Sequence, residues 1–543
     1  MESIVLNSRE LCDLEMLLNG GFAPLNGFLN KEDYFSVLND MRLSNGKLWP
    51  IPITLSIAKD KANKIMENNE NFVLRLLNNE NLPLAQIKNP KFYTPDVELE
   101  CLSVFKSLDA NHPYIKKTLE QKNVYYIGGV VEALNPFPHF DFTEYRLTPQ
   151  ETKKYFKENN WKTIVGFQTR NPMHRSHFEL TKYALNKAGE NAKLLLHPVV
   201  GVTQACDVNY HTRVKCYKKL LNHYEPNTAA LSLLPISMRM AGPREALWHA
   251  LIRQNYGCTH FVVGRDHAGP SYKKQDGSNF FGPFDAHLLL ESVEEELNIK
   301  IIKSQWIVYV ENRDTYMSLD NVQEEDNVLH ISGTKQRELL TKGEPIPSWF
   351  TFPDIEEELR KSYQPLNKQG FCLYFVGLSG SGKSTIVNAV MAKLKELDPR
   401  YITRLDGDVV RQNLSKGLGF SREDRSTNVR RIGWIAQEIV KHNGIVLVAN
   451  IAPYKNDRDY NRDNIGNNYV EIFVDTSLEI CEKRDCKGLY KLARSGVIKE
   501  FTGVSDPFEV PENPEVQLDF DTLENQVNIV INYIKERGLI NLF

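Results

Sequence analysis

Hydrophobic and polar positions change rhythm along this chain, and each change predicts a different kind of domain. Through residues 1–150 short β-rich runs are broken by the turn signals Asn19-Gly20-Gly21, Asn26-Gly27 and Asn45-Gly46, with Leu48–Ala58 and Val124–Val131 reading as strands. Leu134–Thr148, rich in aromatics and carrying prolines, reads as a connector. From 151 to 310 strand-like and helix-like runs alternate: Thr163–Phe167, Pro172–Lys187, Ala192–Pro198, Val208–Leu221, Ala229–Pro235, Arg244–Asn255, His260–Gly264 and Ala286–Leu297. That alternation predicts a parallel sheet covered by helices, with sites at the carboxyl ends of its strands. Residues 311–369 read as a small domain whose proline-bearing end serves as a linker. The apolar run Phe371–Val376 then predicts a buried strand, and Ile386–Leu397 a helix, within a last unit spanning 370–543. The expected fold is a multidomain α/β protein: a β-rich N-terminal domain, an α/β catalytic domain, a small linking domain and a C-terminal parallel α/β domain.

Between that strand and helix lies Gly377-Leu378-Ser379-Gly380-Ser381-Gly382-Lys383-Ser384-Thr385, a full match to the phosphate-binding P-loop pattern. The glycines let consecutive backbone N–H groups turn toward one anion. Lys383 adds a point charge for the outer phosphates, and Ser384 offers a hydroxyl to Mg²⁺ arriving with ATP. A Gly/Ser linker would lack the flanking strand and helix, so the pattern predicts a nucleoside triphosphate here.

A second concentration of chemistry follows Thr163–Phe167: Gln168-Thr169-Arg170-Asn171-Pro172-Met173-His174-Arg175-Ser176-His177. Asn171 suits an N-cap and Pro172 the first helical position, which would put His174 and His177 on one face of the first turns. A helix N-terminus with two imidazoles and an arginine suits a polyphosphate. Zinc is the rival reading, but HxxH lacks the HExxH spacing and no nearby thiolate pair completes a site. Two structurally satisfied histidines are the third possibility. Thr259–Val263 runs into Gly264-Arg265-Asp266-His267-Ala268-Gly269-Pro270, either a site at a strand's carboxyl end or a polar turn. Ile331-Ser332-Gly333-Thr334-Lys335-Gln336-Arg337 is either a second phosphate clamp or a capped helix.

Composition narrows the class without naming the chemistry. At 543 residues three or four domains are expected, and 66 basic against 69 acidic residues exert no pull toward nucleic acid or membrane. Eight cysteines without a CxxC pair speak against a zinc knuckle or disulfide framework. No apolar run approaches the roughly 18 residues of a membrane span, and the start lacks a basic segment followed by an apolar core. A soluble cytoplasmic protein is the expectation.

The stretches Leu17–Tyr34, Gln168–His177, Arg239–Pro270 and Ile331–Arg337 resemble the ATP sulfurylase family, over essentially residues 1–360. The resemblance implies attack of a sulfate oxygen on the α-phosphorus of ATP, giving adenosine 5′-phosphosulfate and pyrophosphate. Carried over by position, Gln168, Arg170 and Ala268 would bind sulfate. Thr169, Arg170 and Asn171 would form the catalytic strip, joined by His174 and His177. ATP would be held by these histidines, Gln168, Arg170, Asn171 and the turn Gly264, Arg265, Asp266, His267. One departure falls in His197–Asp207, where Cys206 replaces a glycine often found in the family.

Downstream of the P-loop, Tyr401–Leu405 ends in Asp406-Gly407-Asp408, with Arg411 beyond. Carboxylates there can hold metal-bound water or accept a hydroxyl proton, and Asp406 or Asp408 can replace the Walker B carboxylate missing after Gly444–Ala449. Together with Gly419–Asn428, Lys487–Tyr490 and Lys499–Gly503, this unit resembles adenosine-phosphosulfate kinases over about residues 370–543. The resemblance implies transfer of the ATP γ-phosphoryl group to the 3′-hydroxyl of adenosine phosphosulfate. Asp408 would be the base; Arg411, Arg425, Asn428 and Ile451 would contact the acceptor; Phe420 and Phe501 would flank its adenine; Lys487 would meet an anionic group. Ala452 stands where some relatives carry a phosphorylatable serine, and Glu500 where many have glycine. Both resemblances together imply a 3′-phosphoadenosine-5′-phosphosulfate synthase of sulfurylase-first order, using Mg²⁺ with ATP, no tightly bound organic cofactor, and forming homo-oligomers. The alternative is a sulfurylase whose C-terminal domain binds nucleotide only for regulation.

Overall fold

The structure is a computed structural model that describes residues 2–68, 72–204, 207–485 and 487–541. It forms two compact units, Met1–Ser332 with Ile346–Ser362, and Gly333–Pro345 with Tyr363–Phe543.

The first unit opens on a seven-stranded mixed sheet built around the long strand Val124–Ala133. Alternating apolar side chains of Val73–Leu77 and Pro83–Lys88 feed one core with Leu14, Tyr34 and Trp49. The expected strand Leu48–Ala58 is shorter than its hydrophobicity suggests: only Leu55–Ala58 forms a strand, with Leu48 in an isolated bridge to Arg42, because Pro50 and Pro52 remove ladder donors between them. Helix Ser8–Leu18 is fixed by a reciprocal cap between Asn7 and Glu10, both contacts 3.1 Å. It also carries Asp13, whose two oxygens accept from buried Arg239 at 2.7 and 2.6 Å, tying this domain to the next.

That next domain is a five-stranded parallel sheet. Its elements are β1 (Ile164–Phe167), α1 (Arg175–Ala188), β2 (Lys193–Leu196), α2 (Tyr210–Leu221), β3 (Ala229–Leu231), α3 (Pro243–Asn255), β4 (His260–Val263), α4 (Asp285–Ser292) and β5 (Lys300–Lys303). The strand order is β3-β2-β1-β4-β5. Buried runs without alternation are what two helix-covered faces require. The helical run expected over Ala286–Leu297 ends at Ser292, passing into a 3₁₀ turn at Glu294–Glu296. A three-stranded antiparallel sheet follows over Ile307–Leu329, and helix Pro353–Ser362 packs on α2, with Thr212 and Ser362 hydroxyls 2.5 Å apart.

The second unit is a five-stranded parallel sheet of β6 (Phe371–Val376), β7 (Ile402–Asp406), β8 (Ile445–Asn450), β9 (Tyr469–Asp475) and β10 (Val516–Asp519), ordered β7-β8-β6-β9-β10. Helices α5 (Lys383–Leu397) and α7 (Leu523–Glu536) contribute to a core with one sheet face, while α6 (Arg422–Lys441) packs against the other. Among the described residues no helix is long and apolar enough to cross a membrane.

Candidate functional sites

In the first unit β1 and β4 are parallel neighbours, with His260 beside Val165. Their carboxyl ends therefore deliver Gln168–His174 and Gly264–Ala268 to one edge of the sheet, at the point where strand order reverses.

The first loop differs from its expected form. Asn171 does not cap the helix and Pro172 does not open it: α1 begins at Arg175, with His174 at the N-cap. The reason is local competition for Asn171. Its carbonyl accepts from Thr169 Oγ1 (2.8 Å) and Tyr217 OH (2.8 Å), while its N–H donates to Thr169 Oγ1 at 3.2 Å. His177 sits at the third helical position, where its Nδ1 accepts the His174 N–H at 3.3 Å. Burial pushes His177 down to about 4, and burial plus the neighbouring His177 pushes His174 down to about 3. Both rings are thus neutral at pH 7, and His174 lies tilted against Phe350 with ring centres 4.2 Å apart. Arg170 is paired loosely with Asp207, at 3.3 and 3.5 Å. Gln168 Oε1 is buried with no partner among the described residues. Cys206, the departure noted in the sequence, lies outside the described residues.

Sequence reasoning passed over Arg213. This buried side chain on α2 donates to the carbonyls of Arg170 (2.8 Å) and Val199 (3.0 Å), fixing the backbone of the Thr169–Asn171 segment. No motif marks it; a lone arginine on a helix becomes informative only when the loop it braces is known.

In the second loop Asp266 and Ala268 adopt left-handed backbone, φ 53° and 55°. Arg265 lies over the Trp306 ring at 4.6 Å. His267 turns inward to His249, with Nε2 and Nδ1 3.1 Å apart. At Ile331–Arg337, helix Gly333–Lys342 begins as expected, with Lys335 paired to Glu338 at 3.1 Å and Arg337 near Thr334 at 3.4 Å.

In the second unit β6 runs directly into the P-loop. Gly377, Gly380 and Gly382 all have positive φ (156°, 77° and 105°), and a Cβ at Gly377 would lie 2.8 Å from the Val474 carbonyl. The loop is braced from outside: Tyr490 OH donates to Ser379 O (2.8 Å), Thr476 Oγ1 to Ser381 O (3.0 Å) and Arg484 to Gly380 O (3.3 Å). Lys383 is buried, with Nζ on the carbonyls of Gly377 (2.8 Å) and Leu378 (2.6 Å); burial pushes its ammonium down to about 8. Thr385 follows in α5.

The aligned ends of β6, β7 and β8 bring the other groups alongside: Asp406 is in register with Ala449 and Val376 with Asn450. Ser384 Oγ donates to Asp406 at 3.1 Å. Burial works against ionisation of Asp406, yet hydrogen bonds from Arg404, the Asp408 N–H and Ser384 hold its carboxyl below the ordinary value. A hydroxyl and a carboxylate oxygen on one spot are the hard donors Mg²⁺ takes, so these residues fit the ion. Among the described residues no cluster of three or more His, Cys, Asp or Glu could by itself hold a metal.

Asp408 is paired with Lys487. Arg411 donates to Gly419 O (2.7 Å) and lies over Phe420 at 4.6 Å. Buried Arg425 reaches Thr502 Oγ1 (2.9 Å), Glu500 O (3.2 Å) and Asp506 (2.9 Å). Its contact with Glu500 is thus to the backbone, while that side chain is exposed. Asn428 is buried, and its Oδ1 has no partner among the described residues. Phe501 packs edge-on against Tyr490, ring centres 5.0 Å apart. Ile451 N–H donates to Asn450 Oδ1 at 2.8 Å, and Ala452 (φ 43°) is buried, its carbonyl held by Arg458 at 2.9 Å. An open cleft of about 540 Å³ runs along Leu378, Gly503, Asp506 and Phe508. Asp506 escaped sequence reasoning because it follows the motif region without a pattern of its own, yet it pairs Arg425 and accepts from Tyr454 OH at 2.7 Å.

Fold and sites together define a nucleotide-using transferase with two phosphate-handling α/β domains in tandem. Models of three families match in order: a PUA-like domain at residues 1–136, ATP-sulfurylase at 143–362 and adenylylsulphate kinase at 369–519. The sulfate adenylyltransferases of Coccidioides immitis and Yarrowia lipolytica are each 42% identical to it, over 99% and 98% of this chain and 94% and 93% of theirs. A solved structure described as a hexameric APS kinase from Thiobacillus denitrificans superposes with a TM-score of 0.79 at 30% identity, covering 100% of this chain and 94% of that one. The chain belongs to the sulfate adenylyltransferase (ATP sulfurylase) family, with an adenylylsulphate kinase domain following the sulfurylase domain. Its chemistry is sulfate activation through adenosine 5′-phosphosulfate.

Proposed function

We propose that the chain carries out both steps of sulfate activation, forming adenosine 5′-phosphosulfate in the first unit and phosphorylating its 3′-hydroxyl in the second. In the first step a sulfate oxygen attacks the α-phosphorus, an S–O–P link forms, the bond to the β-phosphate oxygen breaks, and pyrophosphate leaves. Arg170 takes the sulfate, and the strip Thr169–Asn171 aligns it for in-line attack. His174 and His177 offer neutral N–H groups to the polyphosphate at the start of α1, and the Gly264–Ala268 turn holds the nucleotide.

In the second step Lys383 leaves its loop carbonyls for the outer phosphates, and Asp408 orients or deprotonates the 3′-hydroxyl once Lys487 turns to the acceptor's anionic end. Arg411, Arg425, Asn428 and Ile451 seat the acceptor, with Phe420 and Phe501 at its adenine. Mg²⁺, which Ser384 and Asp406 would hold, supplies charge neutralisation between phosphates. Ala452 has no oxygen to phosphorylate, which supports direct transfer. The observation that carries the kinase reading is the intact P-loop with buried Lys383 and the Ser384–Asp406 pair.

The name sulfate adenylyltransferase borne by the full-length relatives favours a second reading, a C-terminal domain that binds nucleotide only to regulate. Incubation with ATP, Mg²⁺, labelled sulfate and pyrophosphatase separates the two. Both adenylyl products should accumulate in sequence; adenosine phosphosulfate alone, bound by the second unit and never phosphorylated, selects the regulatory domain. A homo-oligomer in the cytoplasm completes the proposal, with light scattering as the check on assembly.

A further inference from the structure

The reading of Gly264–Ala268 as the nucleotide-holding turn, on which this inference rests, requires that the turn keep an unfavourable shape. Asp266 and Ala268 are both left-handed. Non-glycine residues persist there only when the surroundings over-determine them. Three backbone contacts help: Asp266 N–H donates to Pro283 O at 3.0 Å, Ala268 O accepts from Gly242 N–H at 3.1 Å, and Asp266 O accepts from Gly269 N–H at 3.0 Å. The remaining hold is a row of side chains beneath the turn, none of which the sequence motifs single out beyond His267.

That row begins with Gly264 N–H, which donates to His267 Nδ1 at 3.4 Å. His267 Nε2 lies 3.1 Å from His249 Nδ1, and His249 Nε2 faces Glu245 Oε1 at 3.5 Å, an electrostatic contact longer than a formed hydrogen bond. Glu245 and His249 are wholly buried, four residues apart on α3. Glu245 is itself anchored, accepting the N–H groups of Arg239 (2.9 Å) and Ala241 (2.8 Å). The backbone donor at one end and the Glu245 oxygen at the other order the protons of the row alike. An imidazole that accepts at Nδ1 carries its hydrogen at Nε2, so His267 donates to His249 Nδ1, and His249 in turn carries its hydrogen at Nε2, toward Glu245. Burial pushes both histidines well below their ordinary value, which keeps both rings neutral.

We propose that Glu245 and His249 are positioning residues for adenylyl transfer, fixing the tautomer and orientation of His267 so that it struts the Gly264–Ala268 turn. Both nitrogens of His267 are then engaged within the protein. Its part in holding ATP is to shape the turn, not to donate to a phosphate.

The test uses the full chain and three variants, His249→Asn, His249→Phe and Glu245→Gln, with kcat and KM for ATP measured in adenosine phosphosulfate formation. Asparagine keeps an acceptor at the δ position but leaves a void; phenylalanine fills the volume but cannot accept. The positioning role predicts that His249→Phe loses about 10–100-fold in kcat/KM for ATP, that His249→Asn recovers most of it, and that Glu245→Gln lies between. A packing role predicts the reverse order, and His249→Phe at least as active as His249→Asn overturns the proposal. If the His249 variants do not fold, long-range ¹⁵N–¹H spectra of histidine-labelled wild-type protein decide, with His267 assigned by the signals missing from His267→Asn. Hydrogen at Nε2 of His267 is expected, and hydrogen at Nδ1 overturns the proposal. Wild-type protein that forms no adenosine phosphosulfate defeats the parent reading instead.

Discussion

Replacing Arg170 by alanine separates the sulfate role proposed for this side chain from its structural setting. The loop should survive the change, because its shape is held through backbone atoms: Arg213 grips the Arg170 carbonyl at 2.8 Å and Tyr217 the Asn171 carbonyl at 2.8 Å. A guanidinium meeting a sulfate dianion makes two charge-assisted hydrogen bonds, about 1.5–3 kcal/mol each. Binding first detaches Arg170 from Asp207, an ion pair stretched to 3.3 Å between side chains 17% and 6% exposed; that costs about 1 kcal/mol. The net loss on truncation is therefore about 2–5 kcal/mol, or roughly 30–5,000-fold in kcat/KM for sulfate at 1.36 kcal/mol per decade. The assay is adenosine phosphosulfate formation from labelled sulfate with pyrophosphatase present, beside 3′-phosphorylation of supplied acceptor, which should be nearly unchanged. Asp207→Asn provides the opposite sign: freed of its competitor, Arg170 should bind sulfate with KM lowered by up to about fivefold. Arg170→Ala with sulfate kcat/KM within threefold of wild type would refute the assignment. So would Asp207→Asn as damaging as Arg170→Ala, since the ion pair itself would then be the essential feature.

Three further outcomes follow from the same geometry. Lys383→Ala should abolish 3′-phosphorylation and spare adenosine phosphosulfate formation; in wild-type protein, calorimetric ATP affinity of the second unit should decline as pH rises through about 8, where the ammonium loses its proton. His174 and His177 are depressed to about 3 and 4, so the unfolded chain binds protons first on acidification; stability is full above about 6.5 and falls toward pH 5, by about 1 kcal/mol per ring after allowing for partial exposure, and a melt series in which His174→Gln keeps the wild-type slope contradicts this. Asp408→Asn should depress phosphoryl transfer by at least tenfold while ATP affinity stays within a few-fold, and rapid quenching with γ-labelled ATP should show no labelled protein that chases into product.

The sequence alone determined the order of domains and the P-loop with its flanking strand and helix, because those signals are local. The P-loop needs glycines at fixed spacing beside a strand and a helix, and Phe371–Leu397 contains all of that information. Strand and helix periodicity likewise made both parallel sheets legible, since burial on two faces leaves an unbroken apolar run. The start of α1 was not legible: Asn171 and Pro172 have the local chemistry of a helix start, but Tyr217, far away in the chain, takes the Asn171 carbonyl that a helix would have used. The tertiary structure also decided between two aspartates. Asp406 faces Ser384 and Asp408 faces Lys487, a division that depends on strand register and a distant loop. Arg213, Asp506, Glu245 and His249 share that property. Glu245 is tied to its own helix and the turn before it, but its row reaches the Gly264–Ala268 turn only through the fold; side-chain type at one position carries no record of a partner that only folding brings within reach.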